Sequence, residues 1–255
     1  MGSITVGDEK RAQPWSRISK IGDAWYELES QNAGTKIQAK ARPGLQTGKV
    51  QLKWSGPTKP SWVIIQGWDP KVENCYYDIA GSKTVEVPVG PYRLFYGEVR
   101  KGKKLQEMKT VIVPKEGSPI ELKVTEGETT VLQLGKPFKF DFNYKVDGTQ
   151  IGIQGTSVAI TGVSGERYER PWNCRAFPEV VWRKKGTKRK SKPEKMTIIS
   201  NGNEVGDAPG AVGWEYLWFP LDMALDTRKE VDGEIEVQMF EKKNRLFGKI
   251  ESDWM

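Results

Sequence analysis

The side chains that could do chemistry in this chain are carboxylates, lysines, arginines and tryptophans, because none of its 255 residues is histidine. Without imidazole, a Ser-His-Asp triad, a Cys-His dyad and a His-ligated zinc site are all excluded. With only two cysteines as well, a bound metal would need oxygen ligands, as calcium does, and the sequence has no EF-hand-like string. We therefore predict neither a metal site nor a cofactor.

Two neighbouring glutamates, Glu166 and Glu169, are the first candidates for acid–base catalysis. Two carboxylates that face each other about 5–10 Å apart could hydrolyse a glycosidic bond. An arginine follows each of them, however, and a nearby guanidinium lowers a carboxyl pKa, which works against a general acid. Glu251 and Asp253 are a second candidate pair for acid–base catalysis, and catalysis is disfavoured for them too. We predict that the protein is not an enzyme, and a carboxylate-based glycan-active enzyme stays as a second alternative.

One segment, Arg183–Lys195, carries the basic character of the chain. It holds eight basic residues and one acidic residue, so its net charge is +7, the same as that of the whole chain. The basic and acidic residues outside the segment cancel. Such a segment is either a solvated, mobile loop or an electrostatic arm for a polyanion. Nucleic acid is the less favoured polyanion, because no known recognition motif accompanies the charge. The candidate polyanion-binding residues are Arg183, Lys184, Lys185, Lys188, Arg189, Lys190 and Lys192.

Tryptophan is frequent, with ten residues in the chain. Exposed indole rings could stack on sugar rings and form a carbohydrate-binding surface. The alternative is that they fill hydrophobic cores, where a large aromatic ring buries much area. The candidate ligand-binding tryptophans are Trp62, Trp68, Trp172, Trp182, Trp214 and Trp218.

Short β-strands are the elements that would have to position these side chains. The runs Val85–Val89, Tyr92–Val99 and Lys109–Val113 mix apolar and polar residues at strand-like spacing, with turn residues between them, as in an antiparallel sheet with one solvated face. Similar runs recur at the spacing of about 8–12 residues that is typical of β-sandwiches. We predict an all-β fold of two antiparallel, Ig-like or transthyretin-like β-sandwich domains.

The predicted domain boundary is the break at Gly135-Lys136-Pro137. It divides the chain into residues 1–136, a sandwich with an N-terminal extension, and residues 137–255, a second sandwich that contains the basic loop. In the extension we predict a short helix, because Pro14 suits a first helical position and apolar residues then recur every three residues up to Ile21.

In the second domain, Phe138–Lys145 (FKFDFNYK) has the cleanest strand pattern, with all its aromatic residues on one face. The Asp147-Gly148 pair predicts a hairpin turn into the next strand. At the end of the chain, Glu234–Phe240 and Arg245–Ile250 are predicted to pair through a turn at Lys242-Lys243-Asn244.

Residues Val87–Leu94 (VPVGPYRL) resemble the "VPxGxYxL" signature of carboxypeptidase-regulatory-like and PEGA-type modules. The stretch 120–134 (IELKVTEGETTVLQL) resembles the closing hairpin of the same module, so the resemblance spans about residues 49–135. It implies a small transthyretin-like or Ig-like β-sandwich of the kind found on exported bacterial proteins, where such modules are usually non-catalytic accessories.

Cys75 and Cys174 leave two states open: separate buried thiols, or one disulfide between the two halves of the chain. No apolar run is long enough for a transmembrane segment, and the N-terminus has no hydrophobic signal core. We expect a mature fragment of an exported protein, in the periplasm or at the cell surface, with a cytoplasmic location as the alternative.

The function predicted from these observations is a non-catalytic, extracytoplasmic interaction or scaffold protein of bacterial type. Its partner would be a protein or polysaccharide surface rather than nucleic acid. The first alternative is a carbohydrate-binding module that uses exposed tryptophans, with the basic loop favouring acidic glycans.

Overall fold

The computed structural model describes residues 3–4, 13–32, 35–103, 107–172, 176–199 and 219–255. Nearly all regular structure in these ranges is extended strand, with a short 3-10 turn at Gly155–Ser157 and no α-helix. The predicted all-β class is therefore confirmed. The described residues include no helix of the length and apolarity needed to cross a membrane. The arrangement as two β-sandwiches stays a prediction.

The strands up to Gly135 are β1 (Ser3–Ile4), β2 (Gln13–Pro14), β3 (Ile18–Ile21), β4 (Ala24–Gln31), β5 (Lys36–Ala41), β6 (Thr47–Ser55), β7 (Pro60–Gly67), β8 (Tyr76–Asp78), β9 (Val85–Pro88), β10 (Gly90–Lys101), β11 (Met108–Val113), β12 (Glu121–Val124) and β13 (Thr129–Gly135). The strands that follow are β14 (Lys139–Asp141), β15 (Tyr144–Asp147), β16 (Gln150–Ile153), β17 (Ala159–Thr161), β18 (Arg167–Trp172), β19 (Glu179–Lys184), β20 (Glu194–Lys195), β21 (Ile198–Ile199), β22 (Phe219–Pro220), β23 (Met223–Asp226), β24 (Ile235–Asn244) and β25 (Gly248–Glu251).

Contacts between residues divide the chain into two compact units. Unit 1 comprises Met1–Trp54, Pro60–Glu98 and Ile112–Leu134, and unit 2 comprises Ser55–Lys59, Val99–Val111 and Gly135–Met255. Strands β6, β10, β11 and β13 therefore each contribute residues to both units.

Unit 1 contains two three-stranded sheets, β3-β4-β5 and β13-β6-β9, and a sheet in which β7 lies between β8 and β10, with β12 paired to the start of β10. Residues 92–95 of β10 alternate between core and solvent, as predicted, whereas Gly97, Glu98 and Val99 are all buried. Tyr92 and Leu94 are buried, whereas Arg93 is exposed and Phe95 is 40% exposed. The Tyr92 hydroxyl donates a 2.9 Å hydrogen bond to the Pro88 carbonyl, which satisfies the polar end of a ring that is otherwise in the core.

Strand β5 of unit 1 has no buried residue. Among the described strands it pairs only with β4. All six of its residues are exposed, and the side chains alternate between a polar face (Lys36, Gln38, Lys40) and an apolar one (Ile37, Ala39, Ala41).

The predicted N-terminal helix is wrong, because Ile18–Ile21 forms strand β3 of a hairpin with β4. The apolar residues that recur every three positions here do not form one face of a helix, and contacts with distant residues hold the segment instead. Ile18 is 1% exposed in the core, and the Ser16 hydroxyl accepts a 3.0 Å hydrogen bond from the Tyr76 backbone N–H. Gly22 adopts a φ of +60° and supplies the turn to β4. Tertiary hydrogen bonds thus replace those that a helix would make.

Cys75 is a buried free thiol and not half of a disulfide. Its Sγ donates a weak 3.7 Å hydrogen bond to the Glu73 carbonyl, and burial raises the pKa of the thiol. Cys174 lies outside the described residues.

The sheets of unit 2 have the orders β14-β17-β18, β15-β16-β23, β20-β19-β24-β25 and β21-β22. An aromatic cluster lies in its core. The rings of Phe138, Tyr168 and Phe247 meet edge to face, with centroids 5.1–5.4 Å apart, and each residue is at most 4% exposed. Such contacts add to the free energy gained by burying the rings.

The alternation predicted for Phe138–Lys145 is confirmed for the three phenylalanines, which are all buried. The segment nevertheless forms two strands, β14 and β15, instead of one, and Phe142 and Asn143 lie between them. The Asn143 backbone N–H donates to the Ser157 hydroxyl (2.9 Å) rather than to a neighbouring strand. The hairpin turn predicted at Asp147-Gly148 is confirmed, with Asp147 opposite Gln150 and Gly148 at φ +55°.

The predicted turn at Lys242–Asn244 is wrong, because β24 continues to Asn244 and the turn follows it. The Asn244 side-chain oxygen accepts hydrogen bonds from the backbone N–H groups of Leu246 (2.9 Å) and Phe247 (3.1 Å). Gly248 then adopts a φ of +79° at the start of β25. The asparagine side chain therefore builds the turn after its own position.

Candidate polyanion-binding site

The basic loop starts inside a sheet. Strand β19 pairs with β24 in a register that places Trp182 opposite Val237 and Arg183 opposite Glu236. Val180 and Val181, earlier in β19, are buried. The core therefore holds the strand from which the basic residues project.

Local hydrogen bonds fold the loop back on this strand. Ser191 donates its backbone N–H to the Trp182 carbonyl (2.9 Å), and its side-chain oxygen accepts from the Trp182 N–H (3.0 Å). A turn between Lys184 and Thr187 is closed by a 3.0 Å backbone bond, with Gly186 at φ +77°. Arg183–Lys195, which we call the basic arm, is thus a positioned element of unit 2.

Trp254 provides an aromatic contact for the arm. The Arg183 guanidinium carbon lies 4.0 Å from the centroid of the indole ring, and the Lys190 Nζ lies 4.8 Å from it. Cations over a tryptophan face are attracted by its quadrupole. Backbone bonds in both directions between Met255 and Val237 (3.0 and 3.2 Å) hold the C-terminal segment beside β24. Trp254 therefore joins two segments of unit 2 that are distant in sequence.

The cations of the arm fall into two groups. Arg183 is ion-paired with Glu236 (Nε to Oε2, 2.7 Å), and Lys185 with Glu234. The latter hydrogen bond raises the pKa of Lys185 and lowers that of Glu234. No carboxylate of the described residues pairs with the remaining exposed cations, so their charge is available to a ligand: Lys184, Lys188, Arg189, Lys190, Lys192 and Lys195.

A cleft of about 700 Å³ lies in the same unit and shares Trp254 as a lining residue. Its lining carries both signs of charge. Lys139 pairs with Asp253 (2.5 Å), and Lys249 pairs with Glu251. Glu251 and Asp253 thus form ion pairs with lysines at the rim of this cleft.

The tryptophans predicted to bind a ligand are divided between the units. Trp62 in unit 1 and Trp182 in unit 2 are half-buried, and Trp68 in unit 1 is 47% exposed. The side chain of Trp172, and Trp214 and Trp218 altogether, lie outside the described residues. Trp254, which the arm covers, was missed, and only its tertiary contact with the arm distinguishes it from the other tryptophans.

The glutamate pair has a different role from the one that acid–base chemistry requires. Glu166 is fully buried, and its carboxylate accepts hydrogen bonds from the N–H of Gly135 (2.7 Å), the Tyr168 hydroxyl (2.8 Å) and the N–H of Ser164 (2.9 Å). Burial raises the pKa of this carboxyl. Glu169 is near the surface, 3.7 Å from the Arg167 Nε. Glu166 therefore bonds to its own unit and is closed to a substrate.

Neither a protein-family model nor a curated protein sequence matches this chain. The resemblance of residues 49–135 to carboxypeptidase-regulatory-like modules accordingly stays a prediction.

Proposed function

We propose that this protein is a non-catalytic interaction protein whose basic arm binds an acidic polysaccharide. In this proposal its units are β-sandwich modules that act outside the cytoplasm of a bacterial cell, in the periplasm or at the cell surface. The observation that carries the proposal is the contact of Arg183 and Lys190 with Trp254. It holds the arm in place while the cations beside them stay exposed.

Preorganisation makes such an arm effective. A mobile lysine-rich loop loses conformational entropy when it binds, whereas an arm that is already ordered loses less of it. Six exposed cations without described acidic partners then attract a polyanion over a distance set by ionic strength. The arm needs no proton transfer for this role.

The mixed charge beside Trp254 favours an acidic glycan over nucleic acid. Nucleic acid carries a phosphate at every nucleotide, whereas lysines and carboxylates are paired beside Trp254, so this surface offers no continuous row of free cations. An acidic polysaccharide spaces its charges with neutral, hydroxyl-bearing parts of the sugar. Those hydroxyls can donate to the carboxylates while the sugar anions bind the arm.

The experiment that tests the proposal measures binding of a polyuronate and of neutral dextran by isothermal titration calorimetry at two salt concentrations. We expect the polyuronate to bind, and to bind more weakly at high salt because its charges are then screened. We expect no salt-dependent binding of the neutral dextran. The triple variant Lys188→Ala/Arg189→Ala/Lys192→Ala should lose about 10- to 100-fold in affinity, since each exposed ionic contact contributes up to about 1 kcal/mol.

A matched control removes the same charge elsewhere. The variant Lys53→Ala/Lys83→Ala/Lys123→Ala changes three exposed lysines of unit 1 and should bind the polyuronate nearly as the wild type does. Equal losses in the two variants would show a net-charge effect and contradict the proposal. Tighter binding of duplex DNA than of the polyuronate would replace the glycan with nucleic acid as the partner.

A further inference from the structure

Unit 1 contains a cavity of about 630 Å³ that is separate from the basic arm and its cleft. The β3–β4 hairpin lines one part of it, and residues of β8 and β9 line another. Its volume lies within the range of about 300–1,000 Å³ that small-molecule sites occupy. None of the residues predicted to bind a ligand lies in it.

An aromatic side chain and a cation share one face of the hairpin at this cavity. Lys20 and Trp25 are directly opposite in the antiparallel register of β3 and β4, so their side chains point to the same side of the sheet. Trp25 is half-buried, and its ring meets that of Tyr77 edge to face at 6.4 Å. A ligand at Lys20 is therefore also within reach of the indole ring.

A carboxylate from β9 completes the polar side of the cavity. Lys20 Nζ donates to Glu86 Oε2 (2.7 Å), and Glu86 Oε1 accepts from the Thr47 hydroxyl (2.6 Å). The two side chains are 41% and 35% exposed, so a ligand can reach both. The ammonium has N–H groups left to donate, and each carboxylate oxygen can accept a second hydrogen bond.

The charges of this pair cancel, which disfavours an ionic ligand. A third charged lining residue, Asp78, is 6% exposed, and its Oδ1 accepts hydrogen bonds from the N–H groups of Val63 and Ala80 (both 3.0 Å). The Asp78 carboxylate is therefore already hydrogen-bonded to backbone groups of unit 1. An adjacent donor and acceptor beside an indole ring match a neutral ring that carries neighbouring hydroxyl groups and an apolar C–H face.

We propose that this cavity binds a neutral sugar residue, with its C–H face against Trp25 and two neighbouring hydroxyls bonded to Lys20 and Glu86. Each of those hydroxyls can donate to Glu86 and accept from Lys20. The indole ring covers apolar sugar surface and gives orientation at a small entropic cost, because it has few rotatable bonds. The site does not depend on the polyanion-binding role of unit 2.

The test titrates the full chain with glucose, galactose, mannose and N-acetylglucosamine and their short oligomers, and follows the Trp25 indole N–H signal by NMR. We expect at least one of these sugars to saturate that signal. Glu86→Gln and Lys20→Met should each weaken its binding by about 10- to 100-fold, as expected when a hydrogen bond to a charged group is lost. Trp25→Ala should abolish the measurable binding.

Trp68→Ala is the matched control, because Trp68 is an exposed tryptophan of unit 1 that does not line the cavity, and it should bind like the wild type. Thermal unfolding of each variant reports whether it is folded, and if Trp25→Ala is not, Glu86→Gln and Lys20→Met decide. Failure of every sugar to saturate the signal would overturn the proposal, as would wild-type affinity in both of these variants. Sugar binding that persists in the Lys188/Arg189/Lys192 variant separates this site from the arm.

Discussion

Glu166 in unit 2 and Glu86 in unit 1 show two opposite uses of a carboxylate. Glu166 is fully buried and accepts three hydrogen bonds from its own unit, two of them from backbone N–H groups. Glu86 is 35% exposed and bonds to the ends of two side chains, Lys20 and Thr47. The first carboxylate fixes the path of the chain at Gly135, and the second stays accessible at the edge of a cavity.

This difference separates structural from functional acids in a chain without histidine. A fully buried carboxylate that is hydrogen-bonded within its own unit is out of reach of a ligand, and removing it leaves unpaired donors in the core. An exposed carboxylate contributes less to stability and can exchange water for a ligand. Three measurements would break or sharpen the comparison.

Replacement of Glu166 by alanine is expected to have the largest effect. It leaves two buried donors, the Gly135 N–H and the Tyr168 hydroxyl, without their acceptor and opens a cavity, so the free energy of unfolding should fall by about 3–5 kcal/mol. Chemical denaturation measures this change. The control Glu169→Ala removes an exposed carboxylate of the same segment and should cost less than about 1 kcal/mol. Similar losses in the two variants would contradict the structural role of Glu166.

Substitution of Gly162 by alanine tests how tightly Glu166 is enclosed. A Cβ atom at Gly162 would lie 2.0 Å from Glu166 Oε1, so the carboxylate would have to leave its donors. We expect a loss of about 1–3 kcal/mol, the usual range for overpacking a core. Gly152→Ala is the control, because a Cβ there meets no atom within 4 Å. An equal effect at both glycines would show that backbone entropy and not enclosure determines the loss.

The pH dependence of stability should have opposite signs at the two carboxylates. Burial raises the pKa of Glu166 above its ordinary value of 4.5, so its contribution to stability is complete below pH 4.5 and is lost as pH rises through the folded pKa. Hydrogen bonds from Lys20 and Thr47 lower the pKa of Glu86. Its contribution is therefore complete above pH 4.5 and is lost as pH falls through its folded pKa.

Chemical denaturation of the wild type and of Glu166→Gln and Glu86→Gln across this range would measure both slopes. The stability difference between wild type and Glu166→Gln should shrink as pH rises above 4.5, and that for Glu86→Gln should shrink as pH falls below it. Slopes of the same sign would remove the distinction between the two residues. This effect is expected to be the smallest of the three.

Features with a short sequence period could be predicted. The phenylalanines from Phe138 to Phe142 are buried at every second residue, and Asp147-Gly148 turns the chain as its residue types require. In both cases the cause lies within a few residues, where strand geometry and turn preferences act.

Features that depend on tertiary contacts could not be predicted. Ile18 has the spacing of a helix, yet its segment hydrogen-bonds to β4 and to Asn74 and Tyr76. Glu166 looks like a surface residue in a charged stretch, but the N–H of Gly135 reaches it from a distant part of the sequence. The contact of Trp254 with the arm likewise joins segments with no pattern in common. Competition between local and distant partners decides each of these cases.

Strand β5 has a consequence for the encounter of two molecules of this protein. An unpaired strand edge is a template for another strand, and Ile37, at 48% exposure, would make such a pairing more favourable. If two copies aligned this strand antiparallel about Gln38, however, Lys36 of each would face Lys40 of the other. Like charges directly opposite one another repel, so these two lysines disfavour dimerisation of the strand in that register.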